Sequence, residues 1–190
     1  MPPEIGQLKK LKVLALVCGS LTTLPPEIGQ IKKLVILKLY DSKITKLPPK
    51  IGHLKNLKTL ELGTLITEDF GELMGKPLTK LPPEIGQLQN LEMLYLQDNQ
   101  LTVLPPEIGQ LQNLKEINLE HNQLTALPPE IGRLKNLQEL SLANNQLTAL
   151  PPEIGELKNL KEISISNNPI QDLSALAGCI SLWQIHQNES

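Results

Sequence analysis

Residues 104–126 read LPPEIGQLQNLKEINLEHNQLTA, and residues 127–149 read LPPEIGRLKNLQELSLANNQLTA. Their near-identity sets a period of 23 residues, with units starting at Met1, Leu24, Leu47, Leu81, Leu104, Leu127 and Leu150. The third unit carries an insertion within 64–77, and a partial terminal unit occupies 173–190. The expected organisation is a single repeat domain spanning 1–190.

In the unit from Leu104, apolar residues fall at Leu104, Ile108, Leu111, Leu114, Ile117, Leu119 and Leu124, with Asn122 between the last two. Leu114-x-x-Ile117-x-Leu119 supplies a short strand whose alternate residues point inward. One such strand cannot bury its apolar face, but copies stacked at about 4.8 Å build a parallel sheet over a continuous core. Asn122 sits where the chain leaves the strand, placed to satisfy buried backbone groups of its own and the neighbouring turn. Paired prolines disfavour a regular helix, so Pro128-Pro129 and Gly132 predict a 3₁₀ or irregular return path on the convex side. The expected fold is an α/β solenoid with its parallel β-sheet on the concave face.

Composition agrees. Leu (40) and Ile (17) dominate the apolar residues, while Tyr40, Phe70, Tyr95 and Trp183 are the only aromatics. Fourteen of the 16 prolines fall in Pro-Pro pairs. Disorder is excluded by the aliphatic content, and no apolar run approaches the roughly 20 residues of a membrane span. A net charge of −2 and a pI near 6.0 give no electrostatic footprint for nucleic acid. The opening Met1-Pro2-Pro3-Glu4 has no basic and apolar leader pattern, so no signal peptide is read in this chain. Cys18 and Cys179 lie seven turns apart, roughly 30 Å at the strand spacing, whereas a disulfide needs Cα atoms within about 7 Å. They are expected to remain unbridged, and Cys179 to take a core Leu position.

The spacing L-x-x-L-x-L-x-x-N-x-L, repeated over essentially the whole chain, resembles bacterial leucine-rich-repeat proteins. The variant LPPEIGxLxNLxxLxLxxNxLTx is abundant in pathogenic leptospires and also found in plant proteins. The resemblance implies a right-handed solenoid, no catalysis in the repeats and no cofactor. It further implies macromolecular binding on the concave face and, for bacterial members, a host protein as partner; it names no particular ligand. The terminal NNPIQDLSALAGCISLWQI is similar to an internalin-like unit.

Departures from the consensus mark individual features. The Asn position reads Gly19, Ser42, Leu65, Asn99, Asn122, Asn145 and Asn168, so the N-terminal half is expected to be softer. In the insertion, Thr67 with Glu68 and Asp69 forms a helix start, and Gly75 and Pro77 form a stop. They predict a short helix over 68–74, either folded onto the rim or contacting a ligand. With no polar capping unit before Met1 and one strand after Cys179, the ends are read as open. That leaves association of copies through the ends as an alternative function.

Outward strand positions give three columns on the concave face. The first is Val13, Ile36, Thr59, Met93, Glu116, Glu139, Glu162; the second Ala15, Lys38, Glu61, Tyr95, Asn118, Ser141, Ser164; the third Val17, Tyr40, Gly63, Gln97, Glu120, Ala143, Ser166. Exposed aromatics beside charge are interface anchors. The expected protein-binding residues are therefore Tyr40, Glu61, Met93, Tyr95, Gln97, Glu116, Asn118, Glu120 and Glu139. The stacked carboxylates Glu116, Glu139 and Glu162 should raise one another's pKa, but no nucleophile accompanies them, so no enzyme is read. A basic patch on a partner is their complement. Asp98 and His121 occupy equivalent positions in consecutive units, with Glu120 and Asn144 near, and are weak metal-ligand candidates.

Overall fold

The structure, a computed structural model, describes residues 1–17, 19–63, 78–179, 181–182 and 184–186. The helix expected over 68–74, Cys18, Phe70 and Trp183 lie outside these residues.

Each turn of the chain begins at its proline pair. The first proline stands in extended conformation ahead of a five-residue 3₁₀ segment, and the second starts it. A proline fits there because its fixed φ suits the first turn and its missing N–H would have no intrahelical acceptor. In Pro106–Gln110 the Ile108 amide donates to Pro105 O at 3.0 Å, and the Leu111 amide to Ile108 O at 3.1 Å. The same device forms Pro3–Gln7, Pro26–Gln30, Pro49–His53, Pro83–Gln87, Pro129–Arg133 and Pro152–Glu156. In the final segment, Ser174–Gly178, no proline is present. Asp172 instead accepts from the Ser174 amide at 2.8 Å and its hydroxyl at 2.9 Å.

Consecutive 3₁₀ segments approach so closely that glycine is required between them. A Cβ on Gly29 would lie 2.3 Å from Lys50 O, and one on Gly132 2.3 Å from Glu153 O. The convex layer is therefore thin, with one 3₁₀ turn facing one strand.

The strands are β1 Val13–Val17, β2 Ile36–Tyr40, β3 Thr59–Glu61, β4 Met93–Tyr95, β5 Glu116–Asn118, β6 Glu139–Ser141, β7 Glu162–Ser164 and β8 Gln184–His186. Among the described residues they form one eight-stranded parallel sheet in sequence order. Leu37, Leu60 and Leu94 are fully buried, with Ile117 and Leu140 nearly so. They line a core that runs continuously from turn to turn. Cys179 belongs to it and donates to Ile154 O at 3.2 Å; burial pushes its thiol pKa up.

Two asparagine ladders tie the turns together. Buried Asn122 donates to Leu96 O (2.9 Å), Leu119 O (3.0 Å) and Glu120 O (3.1 Å), and accepts from the Leu101 amide (2.9 Å). Asn99, Asn145 and Asn168 repeat this bonding. The second ladder runs along the exposed flank: Asn56, Asn90, Asn113, Asn136 and Asn159 each donate to a carbonyl of the preceding turn at 2.6–2.7 Å. Lys10 and Lys33 replace it in the first two units.

Candidate functional site

Strand pairing puts Ile36, Thr59, Met93, Glu116, Glu139 and Glu162 in one row across the sheet. Lys38, Glu61, Tyr95, Asn118, Ser141 and Ser164 form the next. Beyond the strands, the Asp98 amide donates to Glu120 O and the His121 amide to Ala143 O, each at 3.0 Å. The third row thus stays in register.

The middle of this face is more closed than alternation alone implies. Tyr40, Met93 and Tyr95 are half-buried rather than fully exposed. Thr59 is 4% exposed between its row neighbours Ile36 and Met93, and Ala143 is 5% exposed. Small side chains in a row of larger ones are covered by them. Gln97 lies across Gly63, where a Cβ would come within 2.7 Å of its side-chain carbon. Its buried Oε1 has no hydrogen-bond donor among the described residues.

Polar contacts link successive strands. Lys38 and Glu61 form an ion pair at 2.9 Å; the carboxylate holds the Lys38 ammonium above its ordinary pKa. Burial pushes the adjacent Tyr40 phenol up. The Tyr95 hydroxyl donates to the Glu116 carboxylate. Burial, followed by the Glu116 charge, raises the Tyr95 pKa well above the tyrosine range. Glu139 is also shifted up, first by burial and then by Glu116 and Glu162 on either side. Asn118 Oδ1 accepts from the Glu120 amide at 2.9 Å, fixing the turn that presents Glu120. The face therefore passes from the Lys38–Glu61 ion pair beside Tyr40, through Tyr95, to a row of three neighbouring carboxylates, Glu116, Glu139 and Glu162.

The row containing Asp98 and His121 has a backbone explanation. Asp41, Asp98, His121, Asn144 and Asn167 all have φ between 53 and 57°, the left-handed region that Asn and Asp tolerate best among side-chain-bearing residues. Asn167 donates to Asn144 Oδ1 at 2.7 Å, and Asn144 Nδ2 lies 3.2 Å from His121 Nε2. Among the described residues no three His, Cys, Asp or Glu side chains converge as a metal site, and no helix is long and apolar enough to cross a membrane.

Comparison with known proteins places this geometry. Residues 70–172 match the family model described as leucine-rich repeat region. The structure of a leucine-rich-repeat protein from Leptospira interrogans is similar at 41% identity and a TM-score of 0.66, covering 97% of this chain and 51% of that one. This chain thus spans about half the length of that protein. Internalin C2 from Listeria monocytogenes is similar in fold at 23% identity and a TM-score of 0.75, covering 97% of this chain and 74% of that one. No curated protein matches the chain.

Proposed function

Because the chain belongs to the leucine-rich repeat family, we propose that it is a non-enzymatic protein-binding module working through its concave face. The supporting observation is the conjunction of half-buried tyrosines with a carboxylate row. Tyr95 is anchored on Glu116, and Glu139 is shifted by its like-charged neighbours. Association with a cationic surface relieves that repulsion, and the aromatic faces supply apolar contact. The binding residues are Tyr40, Glu61, Met93, Tyr95, Gln97, Glu116, Asn118, Glu120 and Glu139. Likeness to the Leptospira protein supports a bacterial setting, with a host protein as the partner class.

Capture with the intact chain as bait, from host extract and separately from bacterial lysate, identifies the partner. Tyr95→Ala with Glu120→Ala should abolish capture while leaving the circular dichroism spectrum unchanged. Undiminished capture would remove the concave face from consideration.

A second reading, association of copies through the outer strands, rests on Val17 (66% exposed) of β1 and Ile185 (43%) of β8. Light scattering separates the two: a monomer across the micromolar to millimolar range excludes self-association.

A further inference from the structure

The net charge of −2 hides a segregation along the solenoid. Residues 1–60 contain eleven lysines against three carboxylates, Glu4, Glu27 and Asp41; residues 61–190 contain seven cations against 17 carboxylates. The lysines concentrate on the flank between the 3₁₀ segments and the strands.

Their arrangement is a row. Lys9 Nζ donates to Gln30 Oε1 at 2.9 Å, Lys32 Nζ to His53 O at 3.4 Å, and Lys55 Nζ to Gln87 O at 3.0 Å. Each ammonium therefore leans onto the following turn, and successive charges are offset by one turn, about 4.8 Å. Lys10 and Lys33 lie beside the row in sequence. Among the described residues none of these five lysines makes a salt bridge. On the adjoining convex surface, the groove between the second and third turns sets Lys50 and His53 beside Glu27, where the equivalent groove farther along sets Glu153 and Glu156 beside Glu130 and Arg133. The crowding registers on the groups themselves. Burial and then Lys55, Lys9 and Lys50 hold Lys32 below its ordinary pKa; desolvation and then Lys32, Lys50 and Lys55 do the same to His53.

The scaffold does not need these charges. At the position of Lys9, Lys32 and Lys55, later turns carry Gln89 and Gln112. Gln112 reaches Gly109 O and Arg133 O with a neutral amide. Lysine returns at Lys135, which Glu156 neutralises at 2.8 Å, and at Lys158, which donates to Gly155 O and Gly178 O at 2.8 Å; among the described residues no second run of unpaired lysines forms at this position. An uncompensated, ordered row of cations is what an anionic ligand supplies with counter-charge.

We propose that the Lys9–Lys32–Lys55 row, with Lys10, Lys33 and Lys50, is a binding site for a linear sulfated polysaccharide lying along the solenoid axis. A step of one strand per charge is close to the length of one sugar ring in an extended chain. Nucleic acid fits less well: the patch has no Phe, Tyr or Trp side chain to stack successive bases and no arginine fork for phosphate. A fluid lipid headgroup layer makes no use of fixed spacing. Lysine ammonium groups act as point charges, so binding releases counterions and weakens with salt.

The test is titration of the full chain with heparin oligosaccharides, against oligothymidylate of equal charge and phosphatidylserine vesicles. Lys9, Lys32 and Lys55 are changed together to Gln, the residue native to later turns, so the fold is retained; thermal melting checks this. The proposal requires heparin binding at least ~10-fold weaker in this variant, with a shallower salt dependence. Lys115→Gln with Lys161→Gln should leave it within about two-fold. Tyr95→Ala with Glu120→Ala should also leave it intact, since the concave face is a separate site. Absence of heparin binding, an equal loss in the Lys115/Lys161 variant, or equal or tighter binding of the DNA or vesicles would overturn the proposal.

Discussion

The hydroxyl of Tyr95 on β4 donates to the carboxylate of Glu116 on β5, joining the carboxylate row of the face to its aromatic centre. Their backbones are not directly opposite: Met93 pairs with Glu116, and Tyr95 with Asn118. The contact is therefore diagonal, within reach because a tyrosine side chain spans the diagonal separation between neighbouring strands.

Tyr95→Phe removes the donor and leaves the ring. A hydrogen bond to a charged acceptor contributes roughly 1.5–3 kcal/mol when well buried. Here both groups are half-buried, so a loss of about 1 kcal/mol in urea denaturation is expected. The raised folded-state pKa of Tyr95 means its contribution is complete below the ordinary tyrosine pKa and is lost as pH rises beyond it. Wild-type stability should therefore fall more steeply than that of Tyr95→Phe under alkaline conditions; parallel curves would refute the linkage.

The two asparagine ladders should differ in energetic weight. Asn122→Ala strips four hydrogen bonds from backbone groups, three of them buried, and is expected to cost about 2–4 kcal/mol. Asn113→Ala removes one bond, to Gln89 O, on the exposed flank, where water replaces the donor; about 0.5 kcal/mol is expected. Urea midpoints measured at constant m-value compare them. Equal losses would contradict the assignment of burial as the cause.

Much of this was legible in the sequence, because stacking demands the same residue at the same place in every turn. Ile117 and Leu119 announce the strand, Asn122 the exit, Pro128-Pro129 the return. The flank ladder was not legible: Asn113 sits at an exposed position where a polar residue needs no partner, and only the backbone path brings the Gln89 carbonyl to it. Asp98 and His121 invited a metal reading because ligand types overlap with residues that tolerate left-handed backbone, and a positive φ leaves no other mark in sequence. The burial of Thr59 depended on the size of its neighbours, Ile36 and Met93, which alternation ignores. Net charge concealed the lysine row, since a sum carries no position.

The ladders predict a gradient of local stability. The exit positions Gly19 and Ser42, and the flank positions Lys10 and Lys33, leave the first two turns with neither kind of asparagine. Backbone amides of β1 and β2 should exchange with solvent faster than those of β5 and β6 under native conditions, by mass spectrometry of deuterated peptides. The substitution Lys33→Asn, restoring a flank donor, should slow exchange around Lys9. Uniform protection along the chain would show that core packing alone sets turn stability.

Glu92 gives the acid limb of the pH profile. It lies between Lys58 at 2.7 Å and Lys115 at 2.8 Å, clamping three turns on the flank, and those two lysines hold its carboxyl at about 2. A depressed folded-state pKa contributes stability above the unfolded value, near 4.3, and that contribution is lost as pH falls toward about 2. Glu139 works in the opposite sense, since its raised pKa makes the protonated form the better fit. Its contribution is present below the ordinary glutamate pKa and is lost as pH rises through the elevated one. Glu92→Gln should therefore be less stable than wild type at neutral pH, the gap closing on acidification. Glu139→Gln should gain stability over wild type at neutral pH and lose that advantage in acid. Urea midpoints at a series of pH values read both at once; gaps independent of pH would show that neither carboxylate is linked to folding through its charge.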